Sequence, residues 1–451
     1  MALSSGRPLP VRAAGRHFRA VPSKRRPFNI RYGCEHSFQL PAPVDAAAWL
    51  PRRMTTPISS LAGHTRRPRV GIDFHTFDGP GQGRRTHLLG MYREAVRRAP
   101  EYDFVFFCAR PELLRAADPA FALANVQCVA MPRRTSLARL GWQLAWLRLR
   151  HRIDLLHMQD RLPVLPLGPC VVTLHDTLFE THPQLFTKVL RRLVRLTGRH
   201  AVRKAALLLA TSEFSRREIA RLYGVDPLGI TLTANGVDTA RFHPATVSRG
   251  GDQHDAEVLR SFGAVTNEYI VCVGRRQPRR NHLALVRAYA RLAEPRPPLL
   301  VVGQGEGLQD EAVAEVHALG LMHQVTFIED VADAALPALL RHARLVFHTS
   351  RAEGFGLPVL EAMASGVPVI TSDAAAMAEL SAGAALAVDP DDPQAITQAL
   401  ERLLYDPMLR RRLAARGLDV AAGRRWDSAA KALLGSFRRF FAGRMVQRAG
   451  S

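Results

Sequence analysis

From residue 69 to residue 425 the sequence repeats one pattern: a short apolar run, a turn of Gly and polar residues, and a longer stretch with helical period. The runs are RVGIDF (69–74), DFVFFCA, NVQCVAM, IDLLHMQ (153–159), PCVVTLHDTLF (169–179), AALLLATS and GITLTANG, then EYIVCVG, PPLLVVG, HQVTFIED, ARLVFHTS, VPVIT and AALAVDP. Strands this apolar along their whole length, alternating with helices, belong in a parallel sheet covered on both faces. The polar stretch 246–257 interrupts the alternation and reads as a linker. The pattern therefore predicts an α/β protein of two doubly wound domains, 66–245 and 258–425. They should face each other across a cleft at the C-terminal ends of their strands, where such sheets bind ligands. An amphipathic segment, RRWDSAAKALLGSFRRFFAG, fills most of 426–451 and is expected to pack back toward the first domain. Residues 1–65 hold Pro, Arg, Ser and Gly without period and are expected to form a disordered basic extension.

A formal charge of +22 calls for an anionic partner: nucleic acid, an anionic membrane or a polyanionic substrate. Ten Lys/Arg against two acids precede Met54, and a second cluster, KVLRRLVRLTGRHAVRK, occupies 188–204. Neither carries a zinc-finger, RNP-type or basic-zipper pattern, so nucleic acid is not expected. The run SLARLGWQLAWLRLRHR repeats Leu and Trp at helical spacing with Arg on its other faces, which suits either core packing or a membrane-facing helix. No apolar run reaches the ~20 residues of a membrane span, and the first residues lack the apolar core of a secretory signal. Their Arg-rich, acid-poor composition suits a flexible tail, the preferred reading, or a transit peptide, and Met54 offers an alternative start. Five scattered cysteines without a Cys-x-x-Cys pair point to a reducing, cytoplasmic setting with no disulfide framework and no zinc site.

The stretch ARLVFHTSRAEGFGLPVLEAMASGVPVITSD (343–373) holds the most chemistry. A loop with Gly354 and Gly356 feeds a short helix that has Pro358 in its first turn and Gly366 past its end. The free N–H groups at that N-terminus, with the helix dipole, form an anion site suited to phosphate. Glu353 and Glu361 stand on either side, as expected of carboxylates accepting hydrogen bonds from sugar hydroxyls. An ordinary turn with two solvated glutamates would look the same, and the loop alone does not decide. Behind Gly274, four arginines (275, 276, 279 and 280) crowd into six residues at a ligand-bearing sheet edge. The planar fork of Arg suits phosphate oxygens. Gly79, Gly81 and Gly83 form a βα turn of nucleotide-binding type but without GxGxxG spacing. His175-Asp176 closes a strand at the same edge, where such a pair is either a structural hydrogen bond or part of a site.

Taken together these residues resemble the family-4 glycosyltransferases of the GT-B fold. SRAEGFGLPVLEAMASGVPVITSD is similar to the family signature with its E-x7-E pair, Glu353 and Glu361. VGRRQPRRN resembles the G…PRKN turn, ANGVDTARFHP the NGVD segment, TSEFSRREIARLYGV the S.FS…YGV helix and VTLHD the His-Asp strand end, all in the family's order from about 69 to 425. The resemblance implies two facing Rossmann-like domains and retaining transfer of a hexose, best matched by mannose, from GDP-mannose or a UDP-hexose to a glycan or lipid-linked acceptor. No separate cofactor and no divalent metal are implied; the net charge, rather than the resemblance, adds the expectation of peripheral contact with the inner face of an anionic membrane. It also implies roles: Arg275 and Arg280 bind the donor diphosphate behind Gly274, with the N–H groups around Phe355, Gly356 and Leu357 adding to them. Glu361 binds the ribose, Glu353 the donor sugar, and His175 the transferred sugar from the other domain. Gly81 and Gly83 let the first loop approach. Two positions depart from the pattern: Arg280 stands for the usual Lys, and Thr349-Ser350 for the usual Pro-Ser. A GT-B scaffold that binds nucleotide or glycan without turnover is the alternative.

Overall fold

The computed structural model describes residues 66–77, 82–245, 251–305 and 310–449. Two all-parallel sheets organise them. The first contains β1 (Arg69–Asp73), β2 (Asp103–Cys108), β3 (Val126–Ala130), β4 (Leu155–Gln159), β5 (Cys170–Leu174), β6 (Leu207–Ala210) and β7 (Ile230–Leu232), in the order β3-β2-β1-β4-β5-β6-β7. The second contains β8 (Ile270–Val273), β9 (Leu299–Val302), β10 (Val325–Ile328), β11 (Leu345–His348), β12 (Val369–Ser372) and β13 (Leu386–Val388), in the order β10-β9-β8-β11-β12-β13. Chain order reverses between β1 and β4 in one sheet and between β8 and β11 in the other. These reversals open the crevices where doubly wound sheets take their ligands.

The central strands are buried nearly throughout because both faces are covered, whereas the edge strands β3, β7, β10 and β13 are only partly buried. In β2, Phe104 and Phe106 enter one core and Val105 and Phe107 the opposite one, the period-2 alternation of a pleated strand. The helices that matter for function are α1 (Gln82–Arg98), α2 (136–150, with a π turn at Arg139–Gln143), α3 (Lys188–Lys204), α4 (Glu213–Tyr223), α5 (Gly251–Ser261), α6 (His282–Ala290), α7 (Leu357–Ala364), α8 (Ala375–Ser381) and α9 (Trp426–Ala449). Ser212 caps α4 by accepting a hydrogen bond from the Ser215 N–H at 3.0 Å, and Gly224 ends that helix in the left-handed region.

Helix α9 returns from the second sheet to the first. Trp426, Leu433 and Phe437 join Val70, Ile72, Leu88 and Tyr92 in one core. Gly90 of α1 makes room for it, since a Cβ there would lie inside the Trp426 ring. Each such Leu or Phe is worth roughly 1.5–3 kcal/mol when fully buried, so the crossing helix is firmly docked.

The expected linker at 246–257 needs correction: helix α5 already runs from Gly251. Its polar side chains serve the fold, for Asp255 is buried and accepts from His342 Nε2 at 3.0 Å, while Leu259 enters the second core. One turn of apolar residues amid polar ones was too short a periodic signal to read as helix. Helix α2 divides the two roles weighed for it. Leu140, Leu144 and Leu147 are core, whereas Leu137, Trp142, Trp146 and Leu149 are exposed. Residues 1–65, with the extension expected there, lie outside the described residues.

Candidate active site

Glu353, Gly354, Phe355 and Gly356 link β11 to α7 at the second crevice. Gly356 caps α7 at φ +97, a conformation that favours glycine, and Pro358 occupies the first turn. No side chain caps this helix. Among the described residues, the N–H groups of Phe355, Gly356 and Leu357 have no acceptor. They are left open at the helix N-terminus, the geometry for which the sequence predicts an anion. Leu357 packs against the cores of both domains, so the loop sits where the two meet.

Beneath this loop Glu353 is buried and pinned. Arg280 forms an ion pair with Glu353 Oε1, Ser350 Oγ donates to the same oxygen at 2.9 Å, and His348 Nε2 lies 3.1 Å from it. Burial pushes the Glu353 carboxyl up, but Arg280, His348 and Arg279 outweigh it and hold the group well below the usual carboxylate range. Glu353 is thus an ionised partner of Arg280 and an organiser of the loop.

The four arginines behind Gly274 have four different fates. Arg275 is exposed at the crevice. Arg276 turns inward, donating to Asp310 at 2.5 Å, to Glu329 at 2.6 Å and to the Gly303 carbonyl at 2.6 Å, and lies over the Phe327 ring. Arg279 donates to the Ala352 carbonyl at 3.3 Å and feels Asp176 and Arg84 of the first domain. Arg280 holds Glu353, while its own Nε is buried without a protein partner. The turn therefore offers Arg275, Arg279 and Arg280 to an anion.

Glu361, one turn into α7, is partly buried. Burial raises its carboxyl to about 7, with Arg241 opposing and Asp333 adding to the shift. This distinguishes it sharply from Glu353, and the spacing of the two residues alone could not show the difference.

At the first crevice β5 ends at Leu174 and His175 follows. Its Nε2 is 2.8 Å from Gln159 Oε1, its N–H donates to Asp160 Oδ1 at 3.1 Å, and its ring meets His87 edge-on at 5.0 Å. Burial, with His87, Arg84 and His157 adding, pushes its pKa well below 6.5, so the imidazole is neutral at pH 7. Asp160 also pairs with Arg84 at 2.6 Å. Asp176 is raised by burial and by Asp160. Sequence reasoning missed Arg84, Gln159 and Asp160, which meet only because β1 and β4 are neighbours. Gly83 lies in the first turn of α1, where an added Cβ would meet no protein atom within 4 Å; Gly81 lies outside the described residues.

The two crevices are apposed directly. Ser212 and Ser215 hydroxyls donate to the Gly354 carbonyl at 2.7 and 3.2 Å. The N–H groups of Glu213 and Phe214, at the positive end of α4, donate to the Glu379 carboxylate on α8 at 3.2 and 2.8 Å. Gly354 is so close to His175 that a Cβ would sit 1.9 Å from the His175 carbonyl oxygen.

The profile of glycosyl transferases group 1 matches residues 258–419, and that of glycosyltransferase family 4 matches residues 81–241. The O-antigen chain mannosyltransferase B of Escherichia coli is 31% identical over 274 residues, 59% of this chain and 70% of that protein. The D-inositol 3-phosphate glycosyltransferase of Kineococcus radiotolerans is 34% identical over 280 residues, 56% of this chain and 62% of that protein. Against other inositol 3-phosphate enzymes the match spans little more than half their length. Among solved structures, Anabaena HepE in complex with UDP and glucose superposes with a TM-score of 0.64 at 20% identity, covering 83% of this chain and all of that one, a likeness of fold. Two parallel sheets joined by a returning helix, a helix N-terminus beside an arginine turn in one crevice, and matches to both halves lead to one conclusion: this chain belongs to the group 1, family-4 glycosyltransferases, GT-B enzymes that transfer a sugar from a nucleotide-sugar donor.

Proposed function

We propose that the chain is a retaining hexosyltransferase, taking mannose from GDP-mannose in preference to a UDP-hexose, and that its acceptor is a glycan or a lipid-linked sugar. The observation that carries this reading is the meeting of the α7 N-terminus with Arg280 beneath it and His175 opposite. A diphosphate leaving from a sugar gains negative charge, and fixed N–H dipoles and guanidinium groups aimed at it stabilise that charge in the transition state. Arg275 and Arg280 take the diphosphate with the N–H groups of Phe355, Gly356 and Leu357, and Glu361 takes the ribose hydroxyls. His175, neutral and oriented by Gln159, faces the transferred sugar without adding a cation beside the developing oxocarbenium charge. Glu353 orders Arg280 and the loop; tied to a guanidinium and a hydroxyl, it is a poor nucleophile, so the reading assigns no covalent glycosyl intermediate to it. Mannose is supported by the E. coli relative alone.

The proposal includes contact with an anionic membrane. Val189, Leu193 and Leu196 are exposed on α3, interleaved with Arg192 and Arg195. That is the pattern of a helix lying in a bilayer interface. No helix among the described residues is long and apolar enough to cross a membrane.

The test is release of nucleoside diphosphate from a panel of GDP-, UDP- and ADP-sugars, with and without crude glycolipid acceptor. Turnover of one donor, lost in Arg280→Ala and Glu361→Ala, supports the reading, and inertness toward every donor sinks it. Vesicle sedimentation tests the membrane: binding to anionic lipid should weaken with salt and in Leu193→Ser/Leu196→Ser, and equal binding to neutral lipid would refute it.

A further inference from the structure

Of the three arginines at the crevice between β1 and β4, two are held in ion pairs and one is not. Arg139 pairs with the fully buried Asp73, and Arg84 pairs with Asp160 at 2.6 Å. Arg161 follows Asp160, which bends the chain out of β4 at φ +59. Arg161 is partly buried and has no side-chain hydrogen bond or ion pair among the described residues. The electrostatic neighbours that it has are Asp160, Arg84 and Arg139, so two of the three are cations; burial comes first among the influences that lower its pKa. Asp160 is already engaged twice, by Arg84 and by the His175 N–H.

A guanidinium partly withdrawn from water beside two others is costly unless something compensates it. Arg84 also faces Asp176 and feels Arg279, so cationic groups run from the arginine turn of the second domain to Arg161 in the first. The crevice lies beside His175, on the side of the cleft opposite the donor loop.

We infer that Arg161 holds an anionic group, a phosphate or carboxylate, on the acceptor, placing the acceptors of this enzyme among phosphorylated or acidic sugars. The inference rests on the glycosyltransferase reading above, since it takes the opposite crevice for the donor. Arg84 and Arg139 supply background field but are tied to Asp160 and Asp73, so Arg161 makes the direct contact, by charge-assisted hydrogen bonds.

The test loads the donor crevice first. Full-length protein saturated with UDP and GDP is titrated calorimetrically with mannose 1-phosphate and, separately, with methyl α-mannoside; the nucleotides keep the sugar phosphate out of the diphosphate subsite. The sugar phosphate should bind at least about 10-fold more tightly than the neutral sugar, the worth of one charge-assisted hydrogen bond. Arg161→Gln should abolish that preference and leave nucleotide affinity unchanged, and Arg161→Lys should restore most of it. A second arm sediments both variants with anionic vesicles, where Arg161→Gln should bind like the wild type. No preference for phosphate in the wild-type protein overturns the inference, as does a preference that survives Arg161→Gln. Loss of vesicle binding in place of sugar-phosphate binding also overturns it, assigning Arg161 to lipid headgroups. If Arg161→Gln fails to fold, the wild-type comparison of the two sugars still decides. Failure to bind either nucleotide strikes instead at the glycosyltransferase reading, and the phosphate comparison remains readable beside it.

Discussion

Gly354→Ala places a methyl group where the two domains touch. The backbone at Gly354 is one that any residue adopts, since its φ lies outside the left-handed region, so the whole effect comes from apposition. The new Cβ would sit 1.9 Å from the His175 carbonyl oxygen, where ordinary contact begins at 3.4 Å. The domain faces must therefore part by about 1.5 Å, the difference between those distances, because backbone lies on both sides of the clash. The Ser212 hydrogen bond, 2.7 Å in the structure, would stretch beyond 4 Å, roughly 2.7 plus 1.5, and the Ser215 bond of 3.2 Å would go with it. A misplacement of about 1 Å costs on the order of 100-fold in rate, so kcat should fall about 100-fold. Each domain keeps its own core, so Tm should hardly move, and nucleoside diphosphate, held by the second domain, should bind within about 2-fold of wild type by calorimetry. Gly443→Ala on α9, with nothing within 4 Å of its added methyl, is the matched control. A Gly354→Ala enzyme with wild-type kcat would refute the argument that this apposition forms the working site.

Four further outcomes follow from the same geometry. Glu361 is ionised above about 7 and protonated below it, so if the carboxylate accepts from ribose, nucleotide affinity should weaken as pH falls through 7. The stability present with Glu361 protonated, below its unfolded value near 4.5, is lost as pH rises toward 7, so Glu361→Gln should raise Tm more at pH 8 than at pH 5, where a uniform shift would contradict the burial effect. Arg280→Ala leaves Glu353 buried without its guanidinium and should cost about 3–5 kcal/mol at pH 7 by urea denaturation, and less in acid as Glu353 takes up a proton; equal losses at both pH values would disprove the coupling. Glu379→Gln weakens the acceptor at the α4 N-terminus by about 1–2 kcal/mol, so the closed form and kcat should drop ~10-fold with nucleotide affinity unchanged, and small-angle scattering should report a more open particle.

Much of the fold could be read from the sequence because its signals are local. Most strands are short, largely apolar runs, and the helix after Gly356 announces itself through Pro358 and Gly366. The open N–H groups at the start of α7 followed from the same local logic, since free N–H groups at a helix start do not depend on distant residues. What escaped was set by tertiary neighbours. Four arginines in one turn look alike in sequence, yet Arg276 is drawn inward by Asp310 and Glu329 from other loops. Glu353 and Glu361 look like equivalent carboxylates, yet one is buried against Arg280 and the other has no such partner. Arg84, Asp160 and Arg161 come together only through the β1–β4 pairing. Asp160 and Arg161 stand at the end of a strand whose sequence points to nothing beyond burial.

The central claim is that a nucleotide-sugar diphosphate sits between the arginine turn behind Gly274 and the N-terminus of α7. A crystal structure of the protein soaked with the nucleoside diphosphate of its active donor tests this most directly. The account predicts phosphate oxygens within hydrogen-bond distance of the Phe355, Gly356 or Leu357 N–H groups and of Arg280, with Glu361 on the ribose. A diphosphate bound elsewhere, or one that leaves these N–H groups and Arg280 untouched, would contradict it.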